Sequence, residues 1–188
     1  MQNISYEANK TMVIEELNRA LSHVSDETVQ QLITEILNAD KVFFVGVGRV
    51  MLSLQSICKR LAHLGINTHY VGEITEPALT NKDLLIVGSG SGSTLFPVAI
   101  AKKAHQLGAR IVHIGSNPNS EISSIVNLMV RIPVQTKYYL EDEIKSEQPM
   151  TSLFEQSLLL LGDIVALTII KQKDINLKSL WQYHANLE

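Results

Sequence analysis

Apolar residues along this chain recur with two distinct periods. Val13, Leu17, Ala20, Leu21 and Val24 repeat at helical spacing, and Val29, Leu32, Ile33, Ile36 and Leu37 repeat it after Ser25-Asp26, a pair suited to cap a helix. Short apolar runs then replace the helical stripe at residues 42–47, 68–71, 84–87, 110–114 and 128–132, predicting five strands. Leu84-Leu85-Ile86-Val87 carries no polar residue, as expected of a strand covered on both faces. Between the strands, 52–64 reads as a helix stopped by Gly65, 95–107 as a second and 120–126 as a short third. Residues 133–149 form a long polar segment of the kind that often acts as a lid, and its Glu141-Asp142-Glu143 run reads as a solvated face. A long helix from 152 to about 171 and a short one over 176–188 end the chain.

Strands that alternate with helices predict an α/β protein with a mostly parallel, doubly wound sheet. No repeat and no low-complexity tract interrupts it. The expected organisation is one domain over 1–188: N-terminal helices in 1–38, a parallel α/β core in 41–132, a loop or lid in 133–149 and C-terminal helices in 150–188. In such sheets ligands bind beyond the C-terminal strand ends, where the strand order reverses. If the first and third strands are neighbours there, the loops that follow them form one site.

Composition narrows the classes of function. The chain has 188 residues, with 16 basic and 19 acidic side chains and a formal charge of −3, which offers no field for nucleic acid or an anionic membrane. The single cysteine, Cys58, cannot form an internal disulfide, so a reducing, cytoplasmic setting is expected, with Cys58 as a small core hydrophobe. The polar N-terminus leads into an amphipathic helix without the pattern of a signal peptide. The greasiest stretch, 158–170, is interrupted by Gly162 and Asp163 and reads as too short and too polar to span a bilayer.

The richest chemistry follows the third strand. Gly88-Ser89-Gly90-Ser91-Gly92-Ser93-Thr94 joins that strand directly to a helix, so flexible backbone, hydroxyl donors and a helix N-terminus converge on one anion site. The loop lacks the lysine of G-x-x-x-x-G-K-[ST], which favours a small phosphomonoester over a magnesium-bound triphosphate. A plain flexible connector is the competing reading, against which stand the strongly apolar flanks. After the first strand, Gly46-Val47-Gly48-Arg49-Val50-Met51 contains G-x-G, but Met51 replaces the third glycine of a dinucleotide fingerprint and Glu73 is a poor ribose ligand.

Six histidines are present, at 23, 63, 69, 105, 113 and 184, none at the i, i+4 spacing of a helical metal pair. Most read as surface or strand-edge residues. G-x-S-x-G is absent from any strand-to-helix turn, which weakens a serine–histidine–acid triad. His184 lies in the terminal His184-Ala185-Asn186-Leu187-Glu188, a tail that either frays or is anchored by burial of Leu180, Trp181 and Tyr183. Glu155 sits near the start of a very apolar helix. It is either an exposed first-turn acid favoured by the helix dipole or a desolvated carboxylate with the raised pKa that suits a proton-transfer base.

Taken with Leu64-Gly65-Ile66, Val71-Gly72-Glu73-Ile74, Gln148-Pro149-Met150 and Ser152-Leu153-Phe154-Glu155, these motifs resemble the sugar isomerase (SIS) domain family, and within it the 6-phospho-3-hexuloisomerases. The resemblance runs from the first strand to the last residue. The glycine loops mark the superfamily, whereas Pro-Met-x-Ser-Leu-Phe-Glu and the terminal His-Ala-Asn-Leu-Glu are far more specific. It implies a three-layer α/β/α sandwich with a five-stranded parallel sheet (flavodoxin-like, Rossmann-like). The implied reaction interconverts D-arabino-hex-3-ulose 6-phosphate and fructose 6-phosphate through an enediol, with no redox cofactor and no metal. It also implies that Ser89, Gly90, Ser91 and Thr94 hold the phosphate, that Gly48 and Arg49 face the substrate oxygens, that Glu155 is the base and that His184 acts on ring opening or oxygen protonation. A homo-oligomer, a tetramer with sites at subunit junctions, belongs to the same expectation, with 158–170 as buried interface and neither nucleic acid nor membrane as partner. Two positions depart from the pattern: Val50 stands where serine is usual and Ser93 where glutamate is usual. Another SIS-type sugar-phosphate isomerase and a non-catalytic sugar-phosphate sensor remain as alternatives. Retention of Glu155 and His184 favours an enzyme, and the N-terminal helices have no basic face of a DNA-binding partner.

Overall fold

Five short strands, β1 (Val42–Val45), β2 (Thr68–Tyr70), β3 (Leu84–Gly88), β4 (Arg110–Gly115) and β5 (Leu128–Arg131), pair in parallel in the order β2-β1-β3-β4-β5. This arrangement comes from a computed structural model that describes residues 5–187; residues 1–4 and Glu188, the last residue of the C-terminal motif, lie outside the described residues. β1 and β3 are neighbours, in register from Val42↔Leu84 to Val45↔Val87, so the strand order reverses between them.

Side chains alternate across the sheet, as the pleat requires. Val42, Phe44, Leu84, Ile86, Val112, Ile114 and Val130 enter one core, and Phe43, Val45, Leu85, Val87 and Ile111 enter the other. The first face is covered by α2 (Asp26–Asn38), α3 (Gly48–Ala62) and α5 (Ser152–Gln172), with α1 (Tyr6–Ser22) packed on α5. The opposite face is covered by α4 (Leu95–Gln106). The result is the expected three-layer α/β/α sandwich. Ser5 and Ser25 accept hydrogen bonds from the backbone N–H groups of Ala8 and Thr28 and so cap α1 and α2.

α5 runs from Ser152 to Gln172, as its sequence predicts. Its 21 residues and mean hydropathy of 1.8 would suffice by length and composition to cross a bilayer. Instead Leu153, Phe154, Leu158, Leu161, Val165 and Ile169 are buried in the core. Gly162 lets α3 approach: a Cβ there would lie 2.2 Å from Ile57 Cγ1. Leu160, Ile164 and Leu167 stay partly exposed along the opposite stripe.

Three sequence expectations are corrected. Residues 120–126 are successive turns closed by Ser123 N–H to Ser120 O and Ile125 N–H to Ile122 O, too short a segment to propagate a helix once Ile122 is buried against the α4-side core. The C-terminal segment is a 3₁₀ helix, Leu177–Tyr183, that buries no residue. Trp181 remains 71% and Tyr183 48% exposed, so the tail is not held by burial within this chain. His113, in the middle of β4, is wholly buried rather than at a surface or strand edge, because both neighbouring strands and α4 enclose that face. Cys58 is buried as expected, and that burial pushes its thiol pKa up.

Candidate active site

The β3–α4 connection is a closed hydroxyl loop. Ser89 donates its N–H to Ile114 O, and Gly90 O accepts from the N–H groups of Ser116 (2.9 Å) and Asn117 (3.1 Å), so the loop is stitched to the end of β4. Ser89 Oγ accepts from Gly92 N–H at 3.1 Å and pairs with Thr94 Oγ1 at 3.0 Å. Ser91 Oγ accepts from the Ser93 hydroxyl at 3.1 Å. Gly92 takes a φ of +61°, a conformation that a side chain would strain. Thr94 is the N-cap of α4 and makes no side-chain cap bond, and the first turn of α4 carries no acidic residue. No side-chain cap from Thr94 and no first-turn acid therefore compete for its first amides.

The loop after β1 lies beside this one. Cβ atoms built on Gly46 and Gly88 would both meet Leu54 Cδ1, at 2.9 and 2.8 Å, and Val50 Cγ1, at 3.3 and 3.0 Å. Two close approaches to the same side chains bring the two loops to one ridge on α3. Gly48, at φ +56°, starts α3 and turns Arg49 outward. α3 thus begins four residues before its apolar stripe, because its first turn faces the site rather than the core.

Arg49 Nε donates to Glu155 Oε2, joining the first turns of α3 and α5. Glu155 is buried, so the exposed-acid reading is excluded. Its Oε1 accepts from Thr151 Oγ1 at 2.8 Å, and its backbone carbonyl accepts from Ser53 Oγ at 3.0 Å. The Arg49 side chain is 65% exposed, so the rest of its guanidinium faces solvent. Phe154, next to Glu155, packs 3.6 Å from the position of a Gly90 Cβ. Contacts through Val50, Leu54 and Phe154 thus bring the loop after β1, with Gly48 and Arg49, and Glu155 beside the hydroxyl loop that holds Ser89, Gly90, Ser91 and Thr94.

His184 does not join them. Its ring stacks on His63 with centroids 5.3 Å apart and tilts against Trp181 at 5.1 Å. His63 is the C-cap of α3 and Gly48 its first residue; fifteen residues of helix separate the two ends by roughly 22 Å. His184 thus lines a separate apolar groove of about 510 Å³ with Leu64, Ala166, Leu167 and Trp181. Partial burial, then Lys59 and Arg60, push the His63 pKa below the ordinary histidine value.

Residues 133–149 are pinned at their base. Val134 and Ile144 form a parallel bridge. Glu143 is buried, which corrects the solvated-face reading of the acidic run: it accepts from Thr136 N–H and Oγ1, Leu140 N–H and Ser116 Oγ. Glu141 and Asp142 are exposed, and Asp142 pairs with Arg131. The tip reaches back to the hydroxyl loop, where Tyr138 Oη and Ser93 Oγ lie 2.6 Å apart. They border, with Ser91, Asn117 and Ser120, a polar cleft of about 840 Å³ that is also lined by Glu121, Glu141 and Asp142. The other end of the segment is held by buried Glu16 of α1, which accepts from Ser146 Oγ, Glu147 N–H and Gln148 Nε2. Glu16 escaped the sequence reading, although it lies between Val13 and Ala20 on the apolar stripe of α1.

Comparison with known proteins matches residues 35–162 to the family model described as SIS domain. The 3-hexulose-6-phosphate isomerase of Bacillus subtilis is 39% identical over 94% of this chain and 95% of its own length. That of Mycobacterium gastri is 36% identical over 96% and 90%. A solved Methanococcus jannaschii protein, whose structure was taken to infer 3-hexulose-6-phosphate isomerase function, superposes with a TM-score of 0.82 at 30% identity, covering 96% of this chain and 99% of that one.

Proposed function

The chain belongs to the SIS domain family, and on that premise we infer that it is an isomerase that interconverts D-arabino-hex-3-ulose 6-phosphate and fructose 6-phosphate. The observation that carries the reading is the meeting of Arg49 and Glu155 beside the hydroxyl loop. An isomerisation of this kind needs a phosphate cradle, a carboxylate and a cation around one substrate.

The phosphate is held by the hydroxyls of Ser89, Ser91 and Thr94 and by loop amides at the start of α4. Glu155 removes the proton from C2 and the electron pair forms the C2–C3 double bond of the enediol. The same carboxyl returns a proton to C3, and the carbonyl re-forms at C2 as a hydroxyl proton passes from O2 to O3. Each carboxylate oxygen has two acceptor sites, so Thr151 and Arg49 orient Glu155 without filling it. As charge develops on the substrate oxygens, the exposed Arg49 guanidinium stabilises it.

His184 is proposed to serve the site of an adjacent subunit in a homo-oligomer, a tetramer in the reading adopted here. The helix length that separates His63 from Arg49 supports this, as do the uncovered Trp181 and the open stripe of α5. All of 1–188 is proposed to be one SIS domain, with α1, most of α2, the second half of α5 and the tail added to the matched region 35–162. A reduced, buried Cys58 accords with a cytoplasmic setting.

The test is incubation of the protein with hex-3-ulose 6-phosphate, fructose 6-phosphate and other ketose and aldose phosphates in deuterated water. Deuterium is expected at the reacting carbons of the first pair. Exchange into another sugar phosphate alone would move the assignment to a different SIS isomerase. Binding with no exchange into any would make the chain a sensor.

A further inference from the structure

His113 lies beneath the hydroxyl loop, on the α4 face of β4 beside Val87, and has no exposed surface. Its Nε2 is 2.8 Å from the carbonyl oxygen of Ser89. A carbonyl only accepts, so Nε2 carries the hydrogen, and the buried Nδ1, with no partner for a second proton, favours the neutral Nε2–H ring. The same carbonyl accepts from Gly92 N–H at 3.2 Å, so two donors, one from the loop and one from the sheet, hold it. The ring also defines the space above it. A Cβ on Gly92 would come within 3.0 Å of His113 Cε1, and one on Gly115 within 2.3 Å of Nε2. A polar side chain is costly in such an apolar layer, and here its one protein bond goes to the loop. Burial pushes its pKa down, against the smaller upward pull of the Ser89 carbonyl.

We propose that His113 is a positioning residue of the phosphate loop: by drawing the Ser89 carbonyl down toward the sheet, it keeps the Gly90 amide, on the opposite edge of the same peptide, turned up toward the ligand. The proposal rests on the reading of that loop as the phosphate cradle. A peptide carbonyl and the next N–H point in opposite directions from one plane, so fixing the carbonyl fixes the amide of Gly90. Nothing in the isomerisation requires His113 to touch substrate. Its effect belongs in affinity rather than in the proton transfer.

The test compares H113L with H113Q, whose amide can place a donor near the position of Nε2. Calorimetry with inorganic phosphate, and KM and kcat for the hexulose phosphate, are measured on each. In H113L, phosphate affinity and KM are expected to worsen about five- to tenfold, the size of one neutral hydrogen bond, with kcat little changed. H113Q should recover most of the loss. Wild-type affinity in a folded H113L, or a fall in kcat at unchanged KM, would overturn the role of His113 alone. A wild-type protein that binds no phosphate would remove the cradle as well. Should H113L fail to fold, nitrogen NMR of the wild-type protein decides: the proposal requires a protonated Nε2 whose resonance moves on phosphate saturation. An Nδ1–H tautomer, or a resonance indifferent to phosphate, would refute it.

Discussion

Arg49 and Glu155 are 106 residues apart in sequence, yet the guanidinium Nε of one donates to Oε2 of the other across the first turns of α3 and α5. The pair places a cation and a carboxylate where the loops after β1 and β3 meet. Glu155→Gln keeps the side-chain shape but cannot take a carbon-bound proton. It should bind fructose 6-phosphate nearly as the wild type does and lose deuterium exchange by about 10²–10⁴-fold. Wild-type exchange in this variant would exclude Glu155 as the base.

In the hydroxyl loop, replacing Ser89 and Ser91 together with alanine should leave the sheet folded and weaken sugar-phosphate binding. Hydrogen bonds to a charged group contribute roughly 1.5–3 kcal/mol each. Each change also removes loop bonds, from Gly92 N–H to Ser89 Oγ and from Ser93 to Ser91 Oγ, so each single variant should show part of the loss. Unchanged affinity by calorimetry would take this loop out of the site.

Val50 packs against the loops with its Cγ1, and Val50→Ser should place a hydroxyl beside the proposed substrate site. Higher turnover of the hexulose phosphate is expected, at a stability cost of about 1 kcal/mol for the lost methyl packing. A loss of activity or binding, with the melting temperature within a few degrees, would mean a pocket shaped for another sugar.

Glu16 links pH to the segment that leads into α5. Burial alone would raise its pKa, but hydrogen bonds from Ser146, Glu147 N–H and Gln148, with Arg19 nearby, outweigh burial and hold it below the ordinary value. A carboxyl lowered by folding stabilises fully above its unfolded pKa, about 4.3, and loses that contribution as pH falls through the folded value. The stability difference between the wild type and Glu16→Gln should therefore shrink as denaturation is carried from pH 6 toward 3. A difference independent of pH would show that Glu16 acts through shape alone.

Mixing Glu155→Gln with His184→Ala tests the shared site. If His184 serves a neighbour, subunit exchange creates some junctions with both wild-type residues and activity returns. A mixture that stays inactive, with exchange confirmed by mass spectrometry, would remove the shared site and leave His184 only a role in its own chain.

Much of this protein is legible in its amino-acid order because the signals are local. Unbroken apolar runs announce parallel strands covered on both faces, and Ser25 caps α2 through a bond only three residues long. The glycine–hydroxyl loop is recognisable between β3 and α4 because loop and helix N-terminus are contiguous. Where local signals thinned, the reading failed. Residues 120–126 have helical spacing but close only as turns, and the tail's aromatic residues find no cover in the single chain.

Other features exist only after folding. Whether Glu155 was a solvated first-turn acid or a buried carboxylate depended on where α3 starts, since Arg49 and Ser53 approach it from that helix. Glu143 looks solvated within its acidic run and becomes a hub only when residues 116, 136 and 140 close around it. His113 is an ordinary interruption of an apolar strand until the parallel register sets it under Ser89. Periodicity decides which face of an element is apolar, because that pattern lies within a few residues. Which polar groups are desolvated together is decided by contacts across the chain, and those come from the packing of the whole sheet and its helices.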